Sequence, residues 1–235
     1  MTQPFRHRKT DTTPIWDGLR MRFFADHLLV ESDSFLDTVS SALWGGGRRQ
    51  VRYFVNGKVP LDFRCDHPEA MMREEIERWG YPPEETVGLL TAAKLTHASC
   101  FAEEGDQFRL FCCATAGTGN AARAGQFRQT YPAYLAGTIN VFVLIDGKLT
   151  PAAMINGIMT ATEAKCAALQ DLRIQDRYGG IATGTTSDAI VLGATQRDGC
   201  EAVHAFAGTA TTIGNAIGRL VYQAVFEAVV TQGEE

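Results

Sequence analysis

The order of elements in the second half of the chain constrains the fold more than any other feature of the sequence. Residues 138–146 read TINVFVLID, an unbroken apolar run of β-favouring residues that stops at an Asp-Gly pair. Residues 150–170 follow with helical spacing, and residues 188–195 (DAIVLGAT) form another apolar run. The sequence therefore predicts a strand, a long helix and a second strand in succession.

Other segments add strands that are joined by short connections. Apolar and β-favouring runs predict four more strands, at 22–31, 51–56, 87–95 and 108–116. Amphipathic spacing with Pro and Gly boundaries predicts two more helices, at 67–80 and 211–230. The Asn56-Gly57 pair predicts a hairpin turn. Because some strands follow short turns and others follow helices, we expect an α/β or α+β fold, with a mixed β-sheet and flanking helices in a single domain.

Composition sets the domain organisation and excludes some partners. The chain has 235 residues, of which 45% are hydrophobic, enough for one sizeable core. Residues 1–20 are predicted to be a flexible N-terminal arm and residues 21–235 the single domain. The net charge is −5 and the basic residues are scattered, so we expect no nucleic-acid partner.

The hydropathy pattern predicts a cytoplasmic protein. No apolar run reaches the roughly 18 residues of a membrane span, so no membrane association is expected. The first fourteen residues lack the apolar region of a signal peptide. The sequence leaves the oligomeric state open, a homo-oligomer included.

The cysteines and histidines give no metal-binding pattern. Six cysteines occur without a CxxC pair, and we interpret them as reduced thiols that mostly pack in the core. Five histidines are isolated, and none has a partner four residues away. We therefore predict neither a metal nor another cofactor.

The long helix at 150–170 has polar residues beside its apolar stripe. At 100° per residue, Asn156, Thr160 and Glu163 line up on one flank, and Lys165 lies on the opposite flank. The predicted core stripe consists of Ile155, Ile158, Met159, Thr162, Cys166 and Leu169. A carboxylate that borders the core is a candidate acid or base, so Glu163 is either catalytic or an anchor for a neighbouring loop.

Three loops combine small residues with hydroxyls, at 114–125, 182–189 and 207–218. Small residues let backbone N–H groups approach a ligand, and hydroxyls bond at short range. The third loop leads into the last helix, whose N-terminus offers unpaired N–H groups. The phosphate-binding patterns GxxxxGK[ST] and GxGxxG are absent, so a nucleotide site is not predicted. The alternative interpretation is that these segments are ordinary turns and caps.

An ordered set of blocks resembles the adenosylcobinamide amidohydrolase family. The blocks cover roughly residues 30–230 and include SSALWGGG, VRYFVNGKVP, TAGTGNAARAG, AGTINVFVLIDGKLT, MINGIMTATEAKCAAL, ATGTTSDAI and AGTATTIGNAIGRLVYQAVFEA. The resemblance implies hydrolysis of the amide between the aminopropanol arm and the corrin ring of adenosylcobinamide, giving adenosylcobyric acid in corrinoid salvage or remodelling. The corrinoid would be a substrate and not a cofactor.

Amide hydrolysis requires a nucleophile or an activated water, a base, and donors for the oxyanion. The catalytic candidates are Thr138, which would attack directly, and Glu163 or Asp188, which would activate a water. The candidates for substrate binding are polar residues of the same blocks, namely Asn120, Asn140, Asn156, Lys165, Thr185, Thr186, Ser187 and Thr211.

A second, weaker likeness concerns Thr138. A threonine before an apolar strand, then a helix and an ST-x-D turn, is similar to the order in ornithine acetyltransferases, where self-cleavage frees a threonine as a new N-terminus. By this likeness Thr138, after Gly137, would be that threonine. The preceding residues AYLA depart from that family's pattern.

Two other functions remain as alternatives at this stage. One is a non-catalytic protein that binds or carries corrinoids. The other is an amidase that acts on a complete cobalamin or pseudo-cobalamin.

Overall fold

A computed structural model describes residues 2–7, 11–127, 138–198 and 202–234. These residues form three α-helices, α1 (Pro68–Arg78), α2 (Pro151–Asp171) and α3 (Thr212–Thr231). They also form eleven strands, β1 (Thr12–Trp16), β2 (Leu19–Phe23), β3 (His27–Ser40), β4 (Gly47–Lys58), β5 (Thr86–Thr91), β6 (Ser99–Gly105), β7 (Phe108–Ala116), β8 (Ala121–Ala122), β9 (Ile139–Asp146), β10 (Gly184–Thr185) and β11 (Ala189–Ala194). No described helix is both long and apolar enough to cross a membrane.

Nine of these strands make one mixed sheet. The order is β1-β2-β3-β11-β9-β7-β6, and β4 lies on the other edge of β3 with β5 beyond it. β11 is parallel to β9 and β5 is parallel to β4, whereas the other pairs of this sheet are antiparallel. The predicted single-domain fold, a mixed sheet with flanking helices, is confirmed.

The parallel pair β9 and β11 is joined by α2, as the sequence order requires. The helix begins where predicted, because the Thr150 hydroxyl accepts a hydrogen bond from the Ala153 N–H at 3.1 Å and Pro151 follows at the first helical position. All eight residues of β9 are buried. This central strand therefore lies between two packed layers, which explains its unbroken apolar sequence.

The sheet curls so that β4 and β5 come close to β9. The side-chain amide of Asn140 in β9 bonds to Asn56 in β4 and to the Leu90 carbonyl in β5. One apolar core lies between the sheet and the helix pair α2 and α3, and a second lies inside the curl. A smaller third core forms where α1 packs on β4 and β5.

Residues 1–20 were predicted to be a flexible arm, but the described residues among them, 2–7 and 11–20, include a strand pair and a buried side chain. Thr12–Trp16 pairs with Leu19–Phe23 as an antiparallel hairpin, and Phe5 is fully buried. Alternate residues of this hairpin face the core, among them Leu19 and Met21. Polar residues on the other face hide this alternation from composition, which is why the sequence suggested an arm.

The Asn56-Gly57 pair does not form the predicted hairpin turn. Both residues lie inside β4, where Asn56 faces Leu28 on one side and Leu89 on the other. The Asn56 side chain is buried, and both its nitrogen and its oxygen are hydrogen-bonded, so tertiary contacts override the local preference for a turn.

The buried face of α2 also differs from the predicted stripe. Ile155 and Met159 are exposed by 58% and 54%. The buried residues are mostly small, namely Ala153, Met154, Gly157, Thr160, Ala161, Ala164, Lys165, Ala168 and Leu169. Small side chains let α2 pack closely against α3 and the sheet, whereas Ile155 and Met159 point outward.

Candidate active site

A cavity of about 290 Å³ opens where β5, β9 and the start of β11 meet. One wall is apolar and contains Leu43, Val59, Phe63, Pro68, Leu89 and Ala92. Its polar end is formed by Thr138, Asn140, Ser187 and Asp188, which hydrogen bonds hold together around the start of β9, and Ser41 and Thr91 also line the cavity. A cavity with an apolar wall and a few converging polar groups is typical of a site for a small molecule.

Two of the three loops that combine small residues with hydroxyls meet beside this cavity. β8 and β10 form a short antiparallel ladder, and Asn120 Nδ2 donates to Thr186 Oγ1 at 2.6 Å. The structure thus brings together Asn120, Thr185, Thr186 and Ser187, which the sequence proposed for substrate binding.

The third loop lies elsewhere. The Thr211 hydroxyl accepts from the Gly214 N–H at 3.0 Å and donates to the Gly208 carbonyl at 2.8 Å, so Thr211 caps α3. Thr211 does not line the cavity beside Thr138. Its geometry matches the alternative interpretation of that loop as a cap.

Asp188 is held by donors from three segments. Its Oδ1 accepts from the Ile139 N–H at 3.0 Å and from the Thr185 hydroxyl, and its Oδ2 accepts from the Thr185 N–H at 3.0 Å. Lys165 Nζ forms an ion pair with Oδ2, and the two side chains are only 8% and 11% exposed. Because its acceptor positions are occupied, Asp188 is suited to fix the backbone next to Thr138.

A glycine makes this ion pair sterically feasible. A Cβ atom on Gly184 would lie 2.7 Å from Lys165 Nζ and closer still to Asp188 Oδ2. The backbone therefore approaches the two charged groups at a distance that a side chain would prevent.

Thr138 lies at the polar end of the cavity, directly before β9. Its Oγ1 is 2.7 Å from the Ser187 carbonyl oxygen and 3.1 Å from Asn140 Oδ1. Its carbonyl accepts from the Gly117 N–H at 3.0 Å. The residue is 4% exposed, so its hydroxyl is largely shielded from solvent.

The Asn140 amide belongs to a buried network that sequence analysis only partly found. Its Nδ2 donates to Asn56 Oδ1 at 2.8 Å and to the Leu90 carbonyl at 2.9 Å, and Asn56 Nδ2 donates to Thr115 Oγ1 at 2.8 Å. Asn56 and Thr115 were missed. The Asn-Gly pair pointed to a turn, and Thr115, where the predicted strand 108–116 overlaps the hydroxyl-containing loop 114–125, was not singled out from the other hydroxyls.

Glu163 does not share this cavity. It is exposed and lines a second cleft between α2 and α3, together with Thr160, Asn215 and Arg219. Asn156 lies on the surface of α2 and lines neither cleft. Of the predicted catalytic residues, the structure therefore brings Thr138 and Asp188 together and leaves Glu163 apart.

The described cysteines are free thiols. Burial raises the pKa of Cys166, whose Sγ donates to the Thr183 carbonyl at 2.9 Å. A hydrogen bond with Cys113 and burial raise the pKa of Cys100, and burial raises that of Cys112. These three thiols therefore stay neutral, in line with a packing role. Cys200 lies outside the described residues. Within the described ranges, no three His, Cys, Asp or Glu side chains are grouped as metal ligands would be.

Comparison with known proteins identifies related sequences over most of the chain. A family model described as adenosylcobinamide amidohydrolase matches residues 15–235. A curated adenosylcobinamide amidohydrolase of Methanosarcina mazei is 30% identical over 215 residues, which cover 88% of this chain and 96% of that protein. An uncharacterized protein of Methanocaldococcus jannaschii is 28% identical over 207 residues, which cover 79% of this chain and 80% of that protein.

Among solved structures, the chain is similar to an L-aminopeptidase D-Ala-esterase/amidase of Ochrobactrum anthropi. The TM-score is 0.46 at 11% sequence identity, and the match covers 98% of this chain and 87% of that chain. A similarity of this degree carries no conclusion about function.

Proposed function

The chain belongs to the adenosylcobinamide amidohydrolase family, and is therefore a hydrolase of amide bonds; we propose that its substrate is the amide that joins the aminopropanol arm to the corrin ring of adenosylcobinamide. Water adds across the carbon–nitrogen bond, so the products are adenosylcobyric acid and aminopropanol, or its phosphate where the arm is phosphorylated. The reaction serves corrinoid salvage or remodelling, and the corrinoid is a substrate.

The observation that carries this proposal is the cavity at Thr138. A corrinoid is large and partly apolar, so its site needs an apolar wall beside groups that bond to amides. The cavity combines such a wall with a hydroxyl, a side-chain amide and loop hydroxyls at its other end. We place the scissile amide at the polar end, within reach of Thr138.

Thr138 is the proposed nucleophile. Its Oγ1 attacks the amide carbonyl carbon, the amine leaves with a proton, and water then hydrolyses the resulting ester. A threonine hydroxyl needs a base to take its proton. In the described part of the chain, the groups recorded at this hydroxyl are the Ser187 carbonyl and the Asn140 amide oxygen, and neither is a base at neutral pH.

The lack of a base among the groups recorded at the Thr138 hydroxyl supports the hypothesis that the chain is cut between Gly137 and Thr138. Cleavage would add water across that peptide bond and give Thr138 a free α-amino group. An α-amino group has a pKa of about 8 and can act as the base for its own hydroxyl. Gly137 itself lies outside the described residues.

Intact-mass measurement of active enzyme tests the cleavage directly. We expect two fragments that separate at Gly137-Thr138, and Thr138→Ala should remain a single chain. A single species of 25.6 kDa in a fully active preparation would contradict the cleavage but not the hydrolysis.

The alternative of a water activated by a carboxylate is less well supported. Asp188 already accepts from four donors, one of them the Lys165 ammonium, so it has little capacity to take a proton from water. Glu163 lines the other cleft. We therefore assign Asp188 to the positioning of Thr138 and leave Glu163 without a catalytic role.

Incubation with adenosylcobinamide followed by chromatography tests the proposed function. We expect adenosylcobyric acid and aminopropanol in equal amounts, and the same rate after treatment with a chelator because no metal is proposed. Tight binding without product would favour a corrinoid carrier, and preferential cleavage of complete cobalamins would favour the alternative amidase.

A further inference from the structure

Asn56 is a buried residue of β4 that has no contact with the cavity but is bonded to a residue that does. It is 2% exposed, and its two amide atoms bond to Asn140 and Thr115 at 2.8 Å each. In sequence it is 84 residues from Asn140, so only the curl of the sheet brings the two together. Buried polar side chains are normally hydrogen-bonded, and these two bonds fix the orientation of the Asn56 amide.

The surrounding groups determine which way the Asn140 amide points. The Leu90 carbonyl can only accept, so the atom of Asn140 that lies 2.9 Å from it must be the donating nitrogen. The same nitrogen donates to Asn56 Oδ1. The Asn140 amide oxygen is therefore directed to the Thr138 hydroxyl, 3.1 Å away.

Asn56 is oriented in the same manner. Its oxygen accepts from the Asn140 nitrogen, so turning the amide over would bring two donating nitrogens together and lose that bond, while its own nitrogen donates to Thr115 Oγ1. The hydrogen bonds thus form a chain in which each group donates to the next, from Thr138 through Asn140 in β9 and Asn56 in β4 to Thr115 in β7. Its first member, Thr138, lines the cavity.

We propose that Asn56 is a positioning residue for the hydrolytic reaction, because it fixes the Asn140 amide with its oxygen toward the Thr138 hydroxyl. This inference rests on the proposed function. Without Asn56, the Asn140 nitrogen keeps one of its two acceptors, and the amide oxygen that shares the single Thr138 hydroxyl proton with the Ser187 carbonyl is less well fixed. Misplacement of a reacting group by about 1 Å costs on the order of 100-fold in rate.

The test compares Asn56→Leu with Asn56→Asp. Leucine has a similar volume but no acceptor, so we expect kcat to fall roughly 10- to 100-fold with KM within about threefold of wild type. Aspartate keeps an oxygen that accepts from Asn140 in either protonation state, so we expect it to restore most of the lost kcat.

Stability separates this role from a merely structural one. A buried aspartate without a cation is costly, whereas a buried leucine is favourable, so Asn56→Asp should melt at a lower temperature than Asn56→Leu. Activity and stability should therefore rank the two variants in opposite order. Thr38→Val is the matched control, because it removes a buried hydrogen bond to the Arg49 carbonyl outside the cavity and should leave kcat unchanged.

Two results would overturn the inference about Asn56 while leaving the proposed function intact. One is a kcat for Asn56→Leu within about twofold of wild type. The other is an Asn56→Asp variant no more active than Asn56→Leu. An absence of turnover by the wild-type enzyme would instead refute the proposed function, and this inference with it.

Discussion

At the scale of single residues, the ion pair between Lys165 and Asp188 joins α2 to the loop before β11. Both side chains are nearly buried, and Asp188 also holds the backbone of Ile139 next to Thr138. Removal of one partner from a buried pair leaves an uncompensated charge. The pair thus supports both the fold and the site.

Asp188→Asn should therefore lower the free energy of unfolding by about 3 kcal/mol, because Lys165 would remain buried without its counter-ion. Urea denaturation measures this loss. The exposed pair Arg73–Glu77 provides the control, since Glu77→Gln should cost less than about 1 kcal/mol. Equal losses in the two variants would show that the Lys165–Asp188 pair behaves as a surface pair.

Gly184→Ala should disrupt the same pair through steric contact alone. Its Cβ would lie 2.7 Å from Lys165 Nζ, and Asp188 cannot move away without losing its bonds to Thr185 and Ile139. We expect a fall in kcat of about tenfold or more. Gly208→Ala is the control, because its Cβ would meet nothing within 4 Å. Equal activity of the two variants would contradict the close approach described for Gly184.

Residue types predicted which polar residues belong to the site better than they predicted the role of each residue. Thr138, Asn140, Thr185 and Asp188 were identified because hydroxyls, amides and carboxylates beside apolar runs must be paired or functional. Asn56 was missed, because an Asn-Gly pair has the same local signal in a turn and in a strand. Only its long-range partners distinguish the two.

At the scale of elements, the bounds of α2 could be predicted from the sequence, whereas its buried face could not. The bounds of the helix were predicted within a residue, because the signals that start it, at Thr150 and Pro151, are local. Its buried face was predicted wrongly, because side-chain size does not reveal where helices pack closely. The same close packing places Lys165 on the buried face.

Substitutions on the two faces of α2 should therefore change the free energy of unfolding by amounts that the hydropathy of the replaced residues does not predict. Ala161→Leu adds volume at a fully buried position and should cost about 1 to 3 kcal/mol of unfolding free energy. Ile155→Ser removes a large apolar side chain that is 58% exposed and should change it by less than about 0.5 kcal/mol. A greater loss from Ile155→Ser would contradict the described packing of α2.

At the scale of the whole molecule, the curl of the sheet could not be predicted from the sequence. Most strands and the mixed character of the sheet follow from local patterns, but β1 and β6 were not predicted, and the contact between β4 and β9 depends on the curl. That contact brings together Asn56 and Asn140, which are 84 residues apart in sequence, and so determines the geometry of the site. The fold class was therefore predictable, whereas the geometry of the site was not.

The stability of the whole fold should depend on His27 in mildly acidic solution. His27 is buried between Phe24 and Trp79, and burial lowers its pKa from the usual 6.5 despite the hydrogen bond with Asp26. The unfolded chain therefore binds a proton more readily than the folded chain does. Stability should fall as pH decreases below about 6.5.

Denaturation at about pH 7.5 and about pH 5.5 measures this dependence, and His27→Gln should reduce it. Asp26 does not interfere in this range. Burial alone would raise its pKa, but hydrogen bonds from Trp79, His27 and Arg78 outweigh burial and lower it below the usual 3.8. An unchanged pH dependence in His27→Gln would assign the effect to another group.

The central claim is that Thr138 hydrolyses the aminopropanol amide of adenosylcobinamide. The most direct measurement is the rate of adenosylcobyric acid formation by wild type, Thr138→Ser and Thr138→Ala. We predict that Thr138→Ala folds but loses roughly 1000-fold or more in kcat, and that Thr138→Ser, which keeps a hydroxyl, retains measurable turnover. Product formation by Thr138→Ala at the wild-type rate would contradict the claim.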